Sequence, residues 1–443
     1  MMDADFFDIR REKRETSSIS IVNGKIRSVS RNAQGGVSIR VLVGTNWGYA
    51  SVPEERAREG IDRALRCARA LPLKEKAMKI EPPALTRSVK QRVKIEPRTV
   101  DLQDKLESLQ HLDDLQRADK RITNSNTIYS EEITTYNLTN SLGADIRWEE
   151  TRTGISAIPV ARDGEKVRYS YAVKDGTCGF EIVSDPKRED EVAKAVTEAC
   201  SLLSASRPPR NLLTVITHPS IAGLLAHEVM GHASEADEII KSRSFLTGKV
   251  GKRVGSDKVT MVDDGSLEGE YGSHLFDSEG TPSARTTIID RGVYKGYMHS
   301  LETAGAMGVR PTGNGLAQDF NRRIFVRMTN TFFTGGDWRL DELIEDTKSG
   351  ILALKAMGGM EDPVGGGFQG KALMGYIIEN GELRELVDTF TMTGDALTIL
   401  GTVDAATREV EFDGSHCGKG EEDIIPVSIG GPYMRAKILI GGG

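Results

Sequence analysis

No stretch of the sequence approaches 18 consecutive apolar residues, so no membrane-spanning helix is expected. The opening residues, Met1-Met2-Asp3-Ala4-Asp5-Phe6-Phe7, lack the basic-then-apolar form of a secretory leader. An excess of basic residues is missing too. Lys and Arg number 58 against 65 Asp and Glu, a formal charge of -7. That argues against a broad nucleic-acid surface, because phosphate binding draws on clustered Lys and Arg. Cysteine is scarce: four residues, at 67, 178, 200 and 417, are too scattered to suggest a disulfide framework. A reduced, cytoplasmic compartment is expected, where a cysteine is structural, catalytic or metal-binding. The glycine run 365–370 lacks the G-x-x-x-x-G-K-[ST] pattern of a phosphate loop. No internal repeat or low-complexity tract stands out.

What is present is a chain of ordinary globular composition, 38% apolar and 28% charged. At 443 residues it is long for one core, so two domains are expected. Residues 16–52 alternate as strands, with Asn23-Gly24 as a hairpin signal and Gln34-Gly35-Gly36 as a second turn. Pro53-Glu54-Glu55 opens a helix that carries Ala57, Ile61, Ala64, Leu65 and Ala68, with Cys67 packed within it. Residues 72–97 read as a basic, proline-punctuated connection, and 102–118 as a charged helix. Residues 122–183 read as an antiparallel meander with turns at Asn140–Gly143, Asp163-Gly164 and Asp175-Gly176. Residues 191–203 form a helix, with Cys200 in its core face. Ser206-Arg207-Pro208-Pro209 is the expected boundary between domains 1–207 and 208–443. Beyond it come a short buried strand, Leu212–Ile216, and then mostly strands and turns. Asp263-Asp264-Gly265, Asp277-Ser278-Glu279-Gly280 and Asp290-Arg291-Gly292 read as turns. The glycine run at 365–370 either lines a cleft or makes tight turns.

The organising stretch is Leu224-Leu225-Ala226-His227-Glu228-Val229-Met230-Gly231-His232. An apolar helix carrying two imidazoles and a carboxylate needs partners for them, because burying unpaired polar groups is costly. A metal ion suits two histidines, and a glutamate beside a metal suits a general base. The familiar zinc-peptidase motif, H-E-x-x-H, sets its histidines four apart. Here they are five apart, which on a regular α-helix separates them by roughly 140°. Both can reach one ion only if the helix ends between them or carries a π-bulge. Distortion is expected at 229–231.

A catalytic zinc site wants a third protein ligand and an open fourth position. Cys417, in Gly414-Ser415-His416-Cys417-Gly418-Lys419-Gly420, is the strongest candidate, since glycines let the backbone approach an ion closely. His416 is its neighbour. Adjacent residues of an extended chain point opposite ways, so only one of the two is expected to bind. Histidines 111, 218, 274 and 299 read as surface or hydrogen-bonded residues.

At these residues the sequence resembles the TldD/PmbA metalloprotease family, and its TldD-type members in particular. The resemblance spans most of the chain. It is sharpest at His227–His232, at Asp263-Asp264-Gly265 with Asp277–Gly280, at Thr312-Gly313-Asn314 and at Cys417-Gly418-Lys419. It implies an α+β fold: an N-terminal α+β domain and a largely antiparallel-β C-terminal domain carrying the HExxxH helix. It implies Zn2+ held by His227, His232 and Cys417, with Glu228 activating water. It also implies a homodimer or a heterodimer with a PmbA-type subunit, acting on unfolded or short peptides. The expected function is a zinc-dependent peptidase. One alternative is a non-enzymatic scaffold stapled by zinc, which a fourth protein ligand such as His416 would favour. Another is a zinc hydrolase of a non-peptide amide.

Overall fold

The computed structural model describes residues 4–70, 72, 78–420 and 422–442. Asn23 and Gly24 both adopt positive φ, 52° and 74°. Two such residues in succession reverse a chain with the twist that flanking strands require. They join Phe6–Val22 to Lys25–Val43 as one long antiparallel hairpin. The turn expected at Gln34-Gly35-Gly36 does not form, and Lys25–Val43 runs straight through it. These glycines serve close approach instead: a Cβ on Gly36 would lie 2.1 Å from the Phe320 ring.

The hairpin sits inside a seven-stranded sheet whose other members include Asn46–Val52, Asn126–Asn140, Asp145–Ala157 and Ala172–Gly176. Helix Ala57–Arg69 covers one part of it through Ala64 and Ala68. Helices Leu102–Gln116 and Lys187–Leu202 cover another, with Leu109, Leu112 and Val192 in the core. Cys67 is exposed rather than packed, one position away from the buried Ala68. Asp175-Gly176 ends a strand and does not turn it back, and Val183 lies in a short helix, Glu181–Ser184. Of the connection at 72–97, residues 73–77 lie outside the described residues, as do residues 1–3 of the opening stretch.

From Leu212 onward the chain builds two further sheets. In one, Leu212–Thr217 pairs with both Ser349–Asp362 and Met434–Gly442. Gly367–Glu379 and Phe390–Asp395 complete the circuit, so this sheet closes on itself as a barrel. Of the glycine run, Gly365 and Gly366 turn the tip of the Ser349–Asp362 and Gly367–Glu379 hairpin, and residues 367–370 are paired within its second strand. The other sheet has the strand order Val293–Tyr294, Arg285–Asp290, Met261–Asp264, Asn330–Phe333, Glu422–Gly431, Glu411–Lys419. Helix Pro219–Leu225 is buried throughout, in one core with residues of both sheets. The architecture is α+β, as expected. Among the described residues, no helix is long and apolar enough to cross a membrane.

Candidate metal centre

The helix that carries the motif starts regularly. Pro219 occupies its first turn, and the His218 side chain caps it by accepting from the Ser220 amide at 3.2 Å. The α-helical stretch ends at Leu225. A π-helical turn follows over Ala226–Gly231, and a single 3-10 turn, His232–Ser234, ends the element. A π-turn spans five residues rather than four, which brings histidines five apart onto one side. The rings of His227 and His232 lie 5.1 Å apart, centroid to centroid. Gly231 is needed in this turn, because a Cβ there would sit 2.1 Å from the Met328 sulfur.

Cys417 arrives from the other end of the chain, on the edge strand Glu411–Lys419. Its side chain is buried, and its Sγ lies 3.3 Å from His232 Nε2. The neighbouring His416 points elsewhere and meets the Tyr271 hydroxyl at 3.1 Å. One ligand atom each from His227, His232 and Cys417 lie within 4.8 Å of one another. Glu228 stands between the two histidines in sequence and is only half-buried, whereas both imidazoles are buried.

The donor set fits a metal. Among the described residues, the buried Nδ1 of His227 has no hydrogen-bond partner. Burial pushes the Cys417 thiol up, but His227 and His232 outweigh that and bring it down to about 4. The thiolate form is the one that binds metals. Two imidazoles and a thiolate are an accepted set for a catalytic zinc site.

Further polar groups, buried or half-buried, pack beside these three. Glu235 Oε2 lies 3.4 Å from His232 Nδ1 and 2.7 Å from Lys419 Nζ. Lys419 also reaches Asp237 Oδ1 at 2.7 Å. Arg327, fully buried, donates to the Cys417 carbonyl at 2.6 Å. Sequence reading missed Glu235 and Arg327 and gave Lys419 no role. The signal for Glu235 was there, one turn beyond His232, where residues three apart face one another.

The aspartates behind the site correct another expectation. Asp263 and Asp264 are buried in the strand Met261–Asp264, and the turn begins only at Gly265. Asp263 accepts from the Thr329 amide, the Thr329 and Thr331 hydroxyls and Asn314 Nδ2, all at 2.7–2.8 Å. Buried carboxylates survive where donors converge on them, and a strand supplied with threonines offers those donors. Asp277 does sit in a turn, accepting from the amides of Glu279, Thr281 and Gly315. Histidines 111, 218, 274 and 299 all have hydrogen-bonding partners: Glu189, Ser220, the Gly313 carbonyl and Thr303.

Models of the PmbA/TldA metallopeptidase domains match three stretches of the sequence. Domain 1 matches residues 7–71, the central domain 95–205 and the C-terminal domain 210–442. The chain belongs to the PmbA/TldD metallopeptidase family. A metalloprotease of Methanocaldococcus jannaschii is 37% identical over 437 residues, covering 97% of this chain and 96% of that one. A zinc metalloprotease TldD homolog of Saccharolobus solfataricus is 26% identical over 448 residues, covering 99% and 97%. Among solved structures, TldE from Thermococcus kodakarensis shares the fold, with a TM-score of 0.78 over 98% of this chain and 97% of that one, at 22% identity. The resemblance carried by the sequence motifs is thereby borne out. In this family member, those motifs fall into two groups. The His227–His232 and Cys417-Gly418-Lys419 motifs meet at the candidate metal site. The motifs at 263–265, 277–280 and 312–314 form the hydrogen-bonded ground behind it.

Proposed function

We propose that this protein is a zinc-dependent peptidase, with His227, His232 and Cys417 as metal ligands and Glu228 as general base. The observation that carries this reading is the convergence of two imidazoles and a thiol within 4.8 Å, from positions far apart in sequence. Membership of a metallopeptidase family supports it, and zinc appears in the name of the Saccharolobus solfataricus relative. When bound, zinc supplies Lewis acidity, which polarises a scissile carbonyl and acidifies a water. Glu228, half-buried and next to His227 in sequence, accepts the proton of the attacking water and passes it to the leaving amine. Cys417 enters as the thiolate, held by its two imidazole neighbours.

His416 is engaged with Tyr271, so it offers no support for a closed, four-ligand structural site. Unfolded or short peptides are the proposed substrates, captured by strand addition. Glu411–Lys419 is the last strand of its sheet, and backbone pairing at an edge reads no side chains. We propose further that the chain divides into domains 1–207 and 208–443. It works in the cytoplasm, where its four unpaired cysteines stay reduced, and pairs as a homodimer or with a PmbA-type subunit. The test is cleavage of an unstructured peptide library by purified protein, with and without a chelator. Chelator-sensitive cleavage of unfolded chains, with folded proteins spared, is expected. Cleavage that ignores the chelator would remove the metal from the reaction.

A further inference from the structure

The pair Glu235 and Lys419 is not explained by the ligand set or by the general base. Glu235 is 1% exposed, and a carboxylate so deep is costly unless it is paired. Both of its contacts run to the two segments that supply ligands. One is to His232 Nδ1, at the end of the π-turn. The other is to Lys419, two residues beyond Cys417 on the edge strand. Lys419 is itself held by Asp237 and by the Val326 carbonyl at 3.3 Å.

His232 turns Nε2 towards the Cys417 sulfur, so Nδ1 is the nitrogen that faces Glu235. A carboxylate at that position selects the tautomer with hydrogen on Nδ1. That leaves the Nε2 lone pair free for a metal and fixes the ring plane.

We propose that Glu235 and Lys419 are positioning residues: Glu235 orients His232 for the metal, and Lys419 locks Glu235 while tying the Cys417 strand to the helix end. The inference rests on the proposed metal site. Lys419 thus adds a direct tie between the helix end that carries His232 and the strand that carries Cys417. Its half-buried ammonium, bridging to the acid behind the histidine, couples their positions.

The test is zinc affinity, measured on the full chain by competition with a chromogenic chelator. Cobalt absorption reports the geometry of the same site. Glu235→Ala is expected to weaken zinc binding about 10- to 100-fold, in the range seen when outer partners of metal-bound histidines are removed. Glu235→Gln keeps an acceptor oxygen and should lose less. Lys419→Met should weaken binding and shift the cobalt spectrum, and Lys419→Arg should restore both. The unfolding midpoint of each metal-free variant separates positioning from general damage. A folded Glu235→Ala that binds zinc as tightly as the parent overturns the inference and leaves the metal site standing. Should Glu235→Ala not fold, unchanged affinity and spectrum in Lys419→Met overturn it equally. A parent protein that binds no zinc overturns the metal site as well.

Discussion

Two buried polar clusters lie close together in the C-terminal region, and they differ in one respect. Both oxygens of Asp263 are met: four donors reach them at 2.7–2.8 Å. Around His227, His232 and Cys417 the donor atoms face one another, and the buried Nδ1 of His227 has no hydrogen-bond partner among the described residues. Both clusters are deep, and both join distant parts of the chain. Depth is therefore common to both clusters, and what separates them is two imidazoles and a thiol whose ligand atoms converge. The two are also joined mechanically. Asn314 donates to Asp263 and to the Arg327 carbonyl, and Arg327 in turn holds the Cys417 carbonyl. The saturated cluster is the ground on which the unsaturated one stands.

The contrast can be broken at either end. Glu228→Gln should leave metal content and stability unchanged while kcat falls about 10^2- to 10^4-fold, the usual contribution of a positioned proton acceptor. Steady-state kinetics with metal analysis checks this. Asp263→Ala should do the reverse. It strands four buried donors and should lower the unfolding free energy by about 3–4 kcal/mol, read by urea denaturation. If Asp263→Ala is as stable as the parent, the scaffold reading fails.

Gly231→Ala probes the π-turn between them. With Met328 sulfur in the way, it should cost about 2–3 kcal/mol of stability and loosen zinc binding together. Loss of stability with zinc affinity intact would separate the turn from the site.

Asp175, a half-buried acid, supplies the smallest effect. It packs against Gly414, three residues before Cys417. Burial, with Asp413 adding to it and Lys174 opposing, pushes its carboxyl up to about 6. A folded-state value above the unfolded one favours the protonated form. Its contribution to stability is therefore full below the unfolded value near 4 and is lost as pH rises through about 6. Asp175→Asn should gain about 1–2 kcal/mol on the parent between pH 4 and pH 8. Unfolding curves at the two pH values measure it, and a constant difference would contradict it.

Much of the fold could be read from local chemistry. Asn23-Gly24 gave the hairpin, because few residue pairs tolerate two positive φ angles. The spacing of small and apolar residues gave the helices. Misreadings came where one residue type serves two ends. Gly35-Gly36 looked like a turn and proved to be a place where Phe320 crosses a strand. Asp263-Asp264 looked like a turn and proved to be a strand end with its acceptors filled from residues 314–331. The π-turn could be anticipated from the five-residue histidine spacing, since a regular helix cannot serve both rings. Glu235 and Arg327 could not be anticipated as readily. What makes them matter is contact with Lys419 and Cys417, 184 and 90 residues away.

Titration of metal-free protein with cobalt(II), followed by absorption, decides whether His227, His232 and Cys417 hold one metal ion together. One equivalent should bind with a thiolate-to-cobalt charge-transfer band, and that band should vanish in Cys417→Ser. A spectrum without thiolate character, or one that Cys417→Ser leaves unchanged, would contradict it.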